Sequence, residues 1–320
     1  MSETVLVTGG LGYIGGRVCR FLAEYADFHL RLGTRQAHQT PPHWLCNGKL
    51  AFLDLLDDSS LEKACRGVKY IVHLAALNEI DCAADPARAL MINGLGSLRL
   101  LRAAITAKVE RFVYFSTAHV YGAPLTGTLT EQTLPRPQHP YAITHRIAED
   151  LVLAARDKGE IQGIVLRLSN GFGAPERANV NRWTLLANDL CRQAVTSGKL
   201  SLRSSGLQLR DFITLNDISR AVQHILTLSP EACADGLFNL GGENPTRIID
   251  VAERIAFRYE QLFGANLAID RPSPLPSESS LPLDYRIDKL KATGFELRAN
   301  IDEEIDSTLE LCHHAFTAEE

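Results

Sequence analysis

The stretch Thr8-Gly9-Gly10-Leu11-Gly12-Tyr13-Ile14-Gly15 constrains this chain more than any other. It follows a β-branched run beginning at Thr4 and opens a helical pattern over Tyr13–Ala26, so it reads as strand, tight turn and helix. Glycines at 9, 12 and 15 let the backbone approach a pyrophosphate closely. The start of the helix then supplies free N–H groups and a partial positive charge. Gly9, Gly12, Tyr13, Ile14 and Gly15 are therefore candidate contacts for a dinucleotide.

The following residues repeat the alternation. Phe28–Leu32, Lys49–Leu53, Tyr70–Leu74, Phe112–Ser116 and Gly163–Leu168 read as strands, with helices at Ser59–Cys65, Pro86–Lys108 and Tyr141–Asp157. Strands apolar on both faces, joined by helical crossovers, make a doubly wound parallel sheet, the α/β architecture of a Rossmann fold. Beyond Leu168 the rhythm is irregular. Helices are expected at Arg182–Thr196, Asn216–Leu228, Ile248–Phe263 and Ile301–Cys312, with short strands near Leu200–Arg203, Asp211–Thr214 and Leu237–Leu240. Asp270–Leu283, rich in Pro and Ser, reads as a surface loop. The expected division is a dinucleotide-binding domain of residues 1–168 plus about 212–240, and a smaller C-terminal substrate-binding part of about 169–211 plus 241–320.

Composition removes other classes of function. A chain of 320 residues that is 45% apolar can bury a sizeable core. Its net charge of −5, with Lys and Arg scattered, excludes a nucleic-acid footprint. The apolar run Tyr70–Leu77 is too short to cross a bilayer, and strand-like residues from Thr4 leave no room for a signal segment. Cys19, Cys46, Cys65, Cys82, Cys191, Cys233 and Cys312 form no C-x-x-C pair, which points to buried thiols in a reducing, cytoplasmic setting. The histidines show no metal-binding spacing.

Further segments occur in a fixed order: His73-Leu74-Ala75-Ala76, Asn93, Ser116-Thr117-Ala118-His119-Val120-Tyr121-Gly122, Pro140-Tyr141-Ala142-Ile143-Thr144, Arg167-Leu168-Ser169-Asn170-Gly171-Phe172-Gly173, Arg210-Asp211-Phe212-Ile213 and Phe238-Asn239-Leu240-Gly241-Gly242. With the glycine motif, this set resembles the extended short-chain dehydrogenase/reductases, the NAD(P)-dependent epimerase/dehydratase family acting on nucleotide sugars, over roughly residues 4–300. The resemblance implies that Thr117 and Tyr141 are catalytic, the tyrosine exchanging a proton with a sugar oxygen while hydride moves to or from nicotinamide. It implies that Asn170 holds substrate and that Arg210 grips a nucleotide diphosphate. It also implies a soluble homodimer formed through Pro86–Lys108 and Tyr141–Asp157. Leu74, Ala75, Ala76 and Asn93 join the cofactor contacts, as do Asp54 and Leu55 after the third strand, where a carboxylate can meet an adenine amine.

Four departures sharpen the reading. The family's lysine four residues after the tyrosine is His145 here, on the same helix face, able to bond a ribose hydroxyl but mostly neutral at pH 7. A catalytically weak dinucleotide-binding sensor is therefore the alternative to an enzyme. The Asp-Glu pair that follows the threonine in the family's 4,6-dehydratases is Ala118-His119, which argues against water elimination and for a 4-keto reductase or 4-epimerase. Pro276–Leu283 lacks the Arg-x-Gly-Asp segment of many UDP-sugar enzymes, with only Arg271 and Arg286 nearby. Finally, no Asp or Glu lies between Phe28 and Leu53, and Arg35 stands where an acidic residue selects NAD. NADP is the expected cofactor, in preference to NAD.

Overall fold

Seven parallel strands make the central sheet of the computed structural model, which describes residues 3–36 and 39–317. They are β1 (Glu3–Thr8), β2 (Phe28–Thr34), β3 (Gly48–Phe52), β4 (Tyr70–His73), β5 (Arg111–Thr117), β6 (Gln162–Leu168) and β7 (Leu237–Leu240). The spatial order is β3-β2-β1-β4-β5-β6-β7, a Rossmann-like arrangement that reverses between β1 and β4. Thr8 stands opposite Gly33 on one side and His73 on the other. The glycine loop, the turn after β2 and the Leu74 segment thus leave the sheet side by side.

Alternation along the strands supplies two cores. Val5 and Val7 face the helices Tyr13–Leu22 and Leu215–Thr227, where Val18, Leu22, Ile218 and Val222 are buried. Leu6 faces the opposite layer, built on Asp58–Cys65, Ser97–Thr106 and Pro140–Asp157. A third cluster lies apart from the sheet, between helices Leu186–Ser197, Ile248–Phe263 and Ile301–Phe316, around Trp183, Leu190, Ile255 and Leu309. Arg17 ties the first helix to the last through Glu304 at 2.8 Å.

Several boundaries differ from expectation for local reasons. The first helix stops at Leu22, because Tyr25 and Phe28 amides bond back to Leu22 and Tyr25 carbonyls as the chain turns toward β2. The helix expected over 86–108 is three pieces, Pro86–Ala89, a wide π segment Leu90–Gly96, and Ser97–Thr106. Gly96 sits there because a Cβ would come within 2.9 Å of Leu55. The helix expected from Arg182 begins at Leu186. Phe212–Thr214 is a strand but pairs with Asn170–Phe172 outside the central sheet. Three other two-stranded pairs, among them Gly127–Leu129 with Leu283–Tyr285, are too short to leave a sequence period. Among the described residues no helix is long and apolar enough to cross a membrane. The seven cysteines are free.

Candidate active site

The glycine loop has the shape its composition requires. Gly9 adopts φ +68°, and a Cβ there would stand 3.2 Å from the Ala75 amide nitrogen. At Gly15 a Cβ would fall 2.1 Å from the Gly9 carbonyl oxygen, so the helix can meet the turn only with glycine. Gly12 precedes the helix without any side-chain cap, leaving its first N–H groups open. Such a bare, positively polarised cradle fits the pyrophosphate of a dinucleotide. Thr8 Oγ1 accepts from the Leu74 and Ala75 amides at 3.2 and 3.1 Å, laying Leu74–Ala76 against the loop.

Some expected cofactor contacts have other tasks. The Tyr13 ring is buried and its hydroxyl donates to Asn188 Oδ1 at 3.2 Å, so Tyr13 offers the cradle only its backbone, while Ile14 beside it is half-buried. Asn93 is fully buried in the π segment: its Oδ1 accepts from Leu77 N at 2.8 Å and its Nδ2 donates to Thr144 Oγ1 at 3.1 Å. It pins the loop after β4, on which Leu74–Ala76 lie. The Leu55 side chain is core, and Asp54 Oδ1 accepts from Leu56 N at 2.9 Å, leaving one carboxylate oxygen for an adenine amine. Arg35 is exposed and has no ion pair among the described residues. Thr34 is less free: its hydroxyl accepts from the Gln36 amide at 3.1 Å.

Thr117 ends β5 and caps a short helix, Ala118–Tyr121, by accepting from the His119 amide at 3.2 Å, which leaves its own proton to donate. Tyr141 opens the helix Pro140–Asp157, which packs on β5 and on that short helix. One turn on, His145 is buried, its ring 4.4 Å from the Tyr141 ring and edge-on to it. Tyr114 Oη lies 2.7 Å from His145 Nδ1, while Nε2 meets no hydrogen-bond partner among the described residues. Burial pushes the His145 pKa down to about 4, so the ring is neutral at pH 7. Burial likewise raises the Tyr141 phenol; Glu79 raises it further, and Arg182 opposes.

Glu79 and Arg182 carry no motif, yet they join as an ion pair at 3.0 Å between the helix Glu79–Ala84 and the loop before Leu186. Of the residues expected to hold substrate, Arg210 is exposed and has no ion pair among the described residues. Exposed His119 lies within its field, and crowding by protein together with the Arg210 charge lowers the imidazole pKa. Asn170 Nδ2 donates to the Asp211 carbonyl at 2.8 Å, leaving Oδ1 for a ligand. Asp211 is buried and accepts from the Gly242 amide at 2.8 Å, which explains why the Arg210 and Gly241-Gly242 segments occur together. Arg271 donates to the Ser205 carbonyl and Arg286 is flanked by Asp284 and Asp288, so neither is an unclaimed cation. Beneath the site, Arg167 is buried against Glu149 at 2.8 Å and donates to Tyr121 Oη at 3.0 Å.

A doubly wound sheet with a bare phosphate cradle at its switch point, and a Thr–Tyr–His set beside it, defines a dinucleotide-binding oxidoreductase class. Residues 5–241 match the model of the NAD dependent epimerase/dehydratase family, and the chain belongs to that family. UDP-glucose 4-epimerase of Rhizobium leguminosarum bv. trifolii is 32% identical over 57% of this chain and 56% of its own, so the match spans little more than half of that relative. The dTDP-glucose 4,6-dehydratase of Neisseria gonorrhoeae is 28% identical over 82% of this chain and 79% of its own. The solved structure of RMD from Pseudomonas aeruginosa complexed with NADPH superposes with a TM-score of 0.78 at 22% identity, covering 98% of this chain and 99% of that one. The likeness to that structure is one of fold.

Proposed function

We propose that this chain catalyses oxidoreduction at a ring carbon of a nucleotide-activated sugar, as a 4-keto reductase or 4-epimerase, with NADP(H) preferred over NAD(H). The observation that carries it is the Tyr141–His145 pair, edge-on at 4.4 Å beside the glycine cradle, with a buried Nε2 left unpaired. When bound, a nicotinamide dinucleotide supplies a reversible hydride acceptor. Tyr141 exchanges a proton with the sugar oxygen, and the Thr117 hydroxyl donates a hydrogen bond to the same oxygen as charge develops on it. Arg210 holds the diphosphate by charge-assisted hydrogen bonds, and Asn170 Oδ1 accepts from the sugar nucleotide. The preference for NADP(H) rests on exposed Arg35 and on the lack of an acidic residue between Phe28 and Leu53.

Dehydratases are among the relatives, so the exclusion of water elimination is argued from this site alone. Ala118 is buried and apolar, and carries no proton for a leaving hydroxyl. The homodimer is likewise proposed from the surface. Leu90, Met91 and Leu95 on the π segment, and Ile143 and Ile147 on Pro140–Asp157, are exposed apolar residues of the two expected interface helices. A second copy of the chain covers them by the same helices.

Tyr141→Phe tests the reading. It should abolish turnover of the sugar substrate while dinucleotide affinity changes by less than about threefold. With a neutral His145 the rate optimum of the wild type should be alkaline, and His145→Lys should move it to lower pH. Full activity in the phenylalanine variant refutes the assignment of Tyr141, and an unchanged pH profile in the lysine variant removes His145 from the proton step.

A further inference from the structure

Two buried histidines flank one tyrosine in this molecule. His73, Tyr114, His145 and Tyr141 form a column of rings, with centroid separations of 5.6, 5.7 and 4.4 Å. His73 is closed on both sides: Thr8 Oγ1 lies 2.7 Å from Nδ1 and Ser97 Oγ lies 2.9 Å from Nε2. His145 is closed on one side only, by Tyr114, with Nε2 buried and unpartnered among the described residues. That asymmetry is chemical information, because a neutral imidazole has one donor nitrogen and one acceptor nitrogen.

The surroundings decide which is which. Were Nδ1 the donor, the Tyr114 O–H would need a second acceptor, and none is present among the described residues. The lone pair of Nε2 would then be buried without a donor, since Nε2 meets no hydrogen-bond partner among the described residues. When the phenol donates to Nδ1 its proton is satisfied, and Nε2 carries the ring proton, which meets no acceptor among the described residues and is left for a ligand. We propose that Tyr114 is a positioning residue that fixes His145 as the neutral Nε2–H tautomer, so that the chain presents a preset, uncharged donor to a dinucleotide hydroxyl one helical turn from Tyr141. The inference deepens the reading above and rests on it only for the identity of that ligand.

The groups around His145 are consistent with a neutral ring. Tyr114 and the Phe115 carbonyl face it from β5, His73 from β4, Tyr141 from its own helix, and Glu79 and Arg182 act from the ion pair beyond. Glu79 and Arg182 oppose each other in sign, so no net charge of that pair forces a proton onto the ring.

The full-length protein labelled with ¹⁵N in its histidines tests this, the His145 signals being identified by their loss in His145→Gln. The wild type, free of dinucleotide at pH 7–8, should show Nε2 protonated and Nδ1 bare, with no titration of the ring down to about pH 5. In Tyr114→Phe the two tautomers should mix, and dinucleotide affinity measured by titration should fall about tenfold. A wild-type ring protonated at Nδ1 overturns the proposal, and needs no variant at position 114 to be seen. So does a Tyr114→Phe protein that keeps the wild-type tautomer and affinity, which is what a merely structural phenol would give. The tautomer is read whether or not any nucleotide sugar is turned over, so failure of the catalytic reading is distinguishable from failure of this one.

Discussion

Arg35 and Arg210 are two exposed guanidiniums with different assignments, and one pair of titrations separates them. Arg35 follows β2, beside the glycine loop, where a guanidinium can pair bidentately with a 2′-phosphate. Arg210 lies on the short strand Leu209–Arg210, next to the Asp211 lock on Gly242. Arg35→Ala should weaken NADP binding by about tenfold or more, with NAD binding nearly unchanged. Arg210→Ala should weaken nucleotide-sugar binding to a similar extent and leave both dinucleotides alone. Tighter NAD than NADP binding by the wild type, or unchanged NADP affinity in the alanine variant, contradicts the cofactor preference. Equal loss of sugar nucleotide and dinucleotide in Arg210→Ala gives that residue a structural role instead.

At the scale of elements, the buried polar groups at the strand ends make the site acid-sensitive. His73 closes β4 with its pKa pushed down by burial to about 3, and His145 on the helix Pro140–Asp157 is pushed down to about 4. Both gain protons on unfolding near the ordinary histidine value of about 6.5. The unfolded state therefore binds more protons, and stability rises with pH through the window from the folded values up to about 6.5. The contribution is complete above that window and is lost as pH falls, by at most roughly 3 kcal/mol for His145 and roughly 5 kcal/mol for His73. Chemical denaturation between pH 7 and 4 should show this fall, and His145→Gln should flatten it; an equal slope in the variant contradicts the buried neutral state. Much of this element-level arrangement was legible in the sequence. The glycine loop, the strand ends at Thr117 and Asn170, and the helix start at Tyr141 each carry local chemistry that a linear reading can see. The loop-pinning bonds of Asn93 were not legible, because proximity to a motif does not tell which backbone groups an amide meets. Glu79–Arg182 and Tyr114–His145 were invisible, since each joins residues on separate elements without any shared spacing. The two- and three-residue strand pairs fall below the length at which a period can be recognised.

At the scale of the molecule, two helical elements that cover the seven-stranded sheet expose a strip of apolar side chains, Leu90, Met91 and Leu95 on one and Ile143 and Ile147 on the other. If a second copy covers the strip, light scattering should report a mass near twice that of one chain, and Ile143→Asp with Ile147→Asp should halve it. A wild type that stays monomeric at micromolar concentration contradicts the dimer. The central claim concerns chemistry and is tested most directly by one measurement. Purified protein is incubated with NADPH, and separately with NADP and NAD, against UDP-, dTDP- and GDP-linked hexoses and their 4-keto forms, and products are followed by NMR and mass spectrometry. The account predicts that at least one nucleotide sugar is inverted or reduced at a ring carbon, without loss of water, and that Tyr141→Phe abolishes the conversion. Tight dinucleotide binding with no turnover of any sugar would contradict it in favour of a sensor, and a dehydrated product would contradict it in favour of a dehydratase.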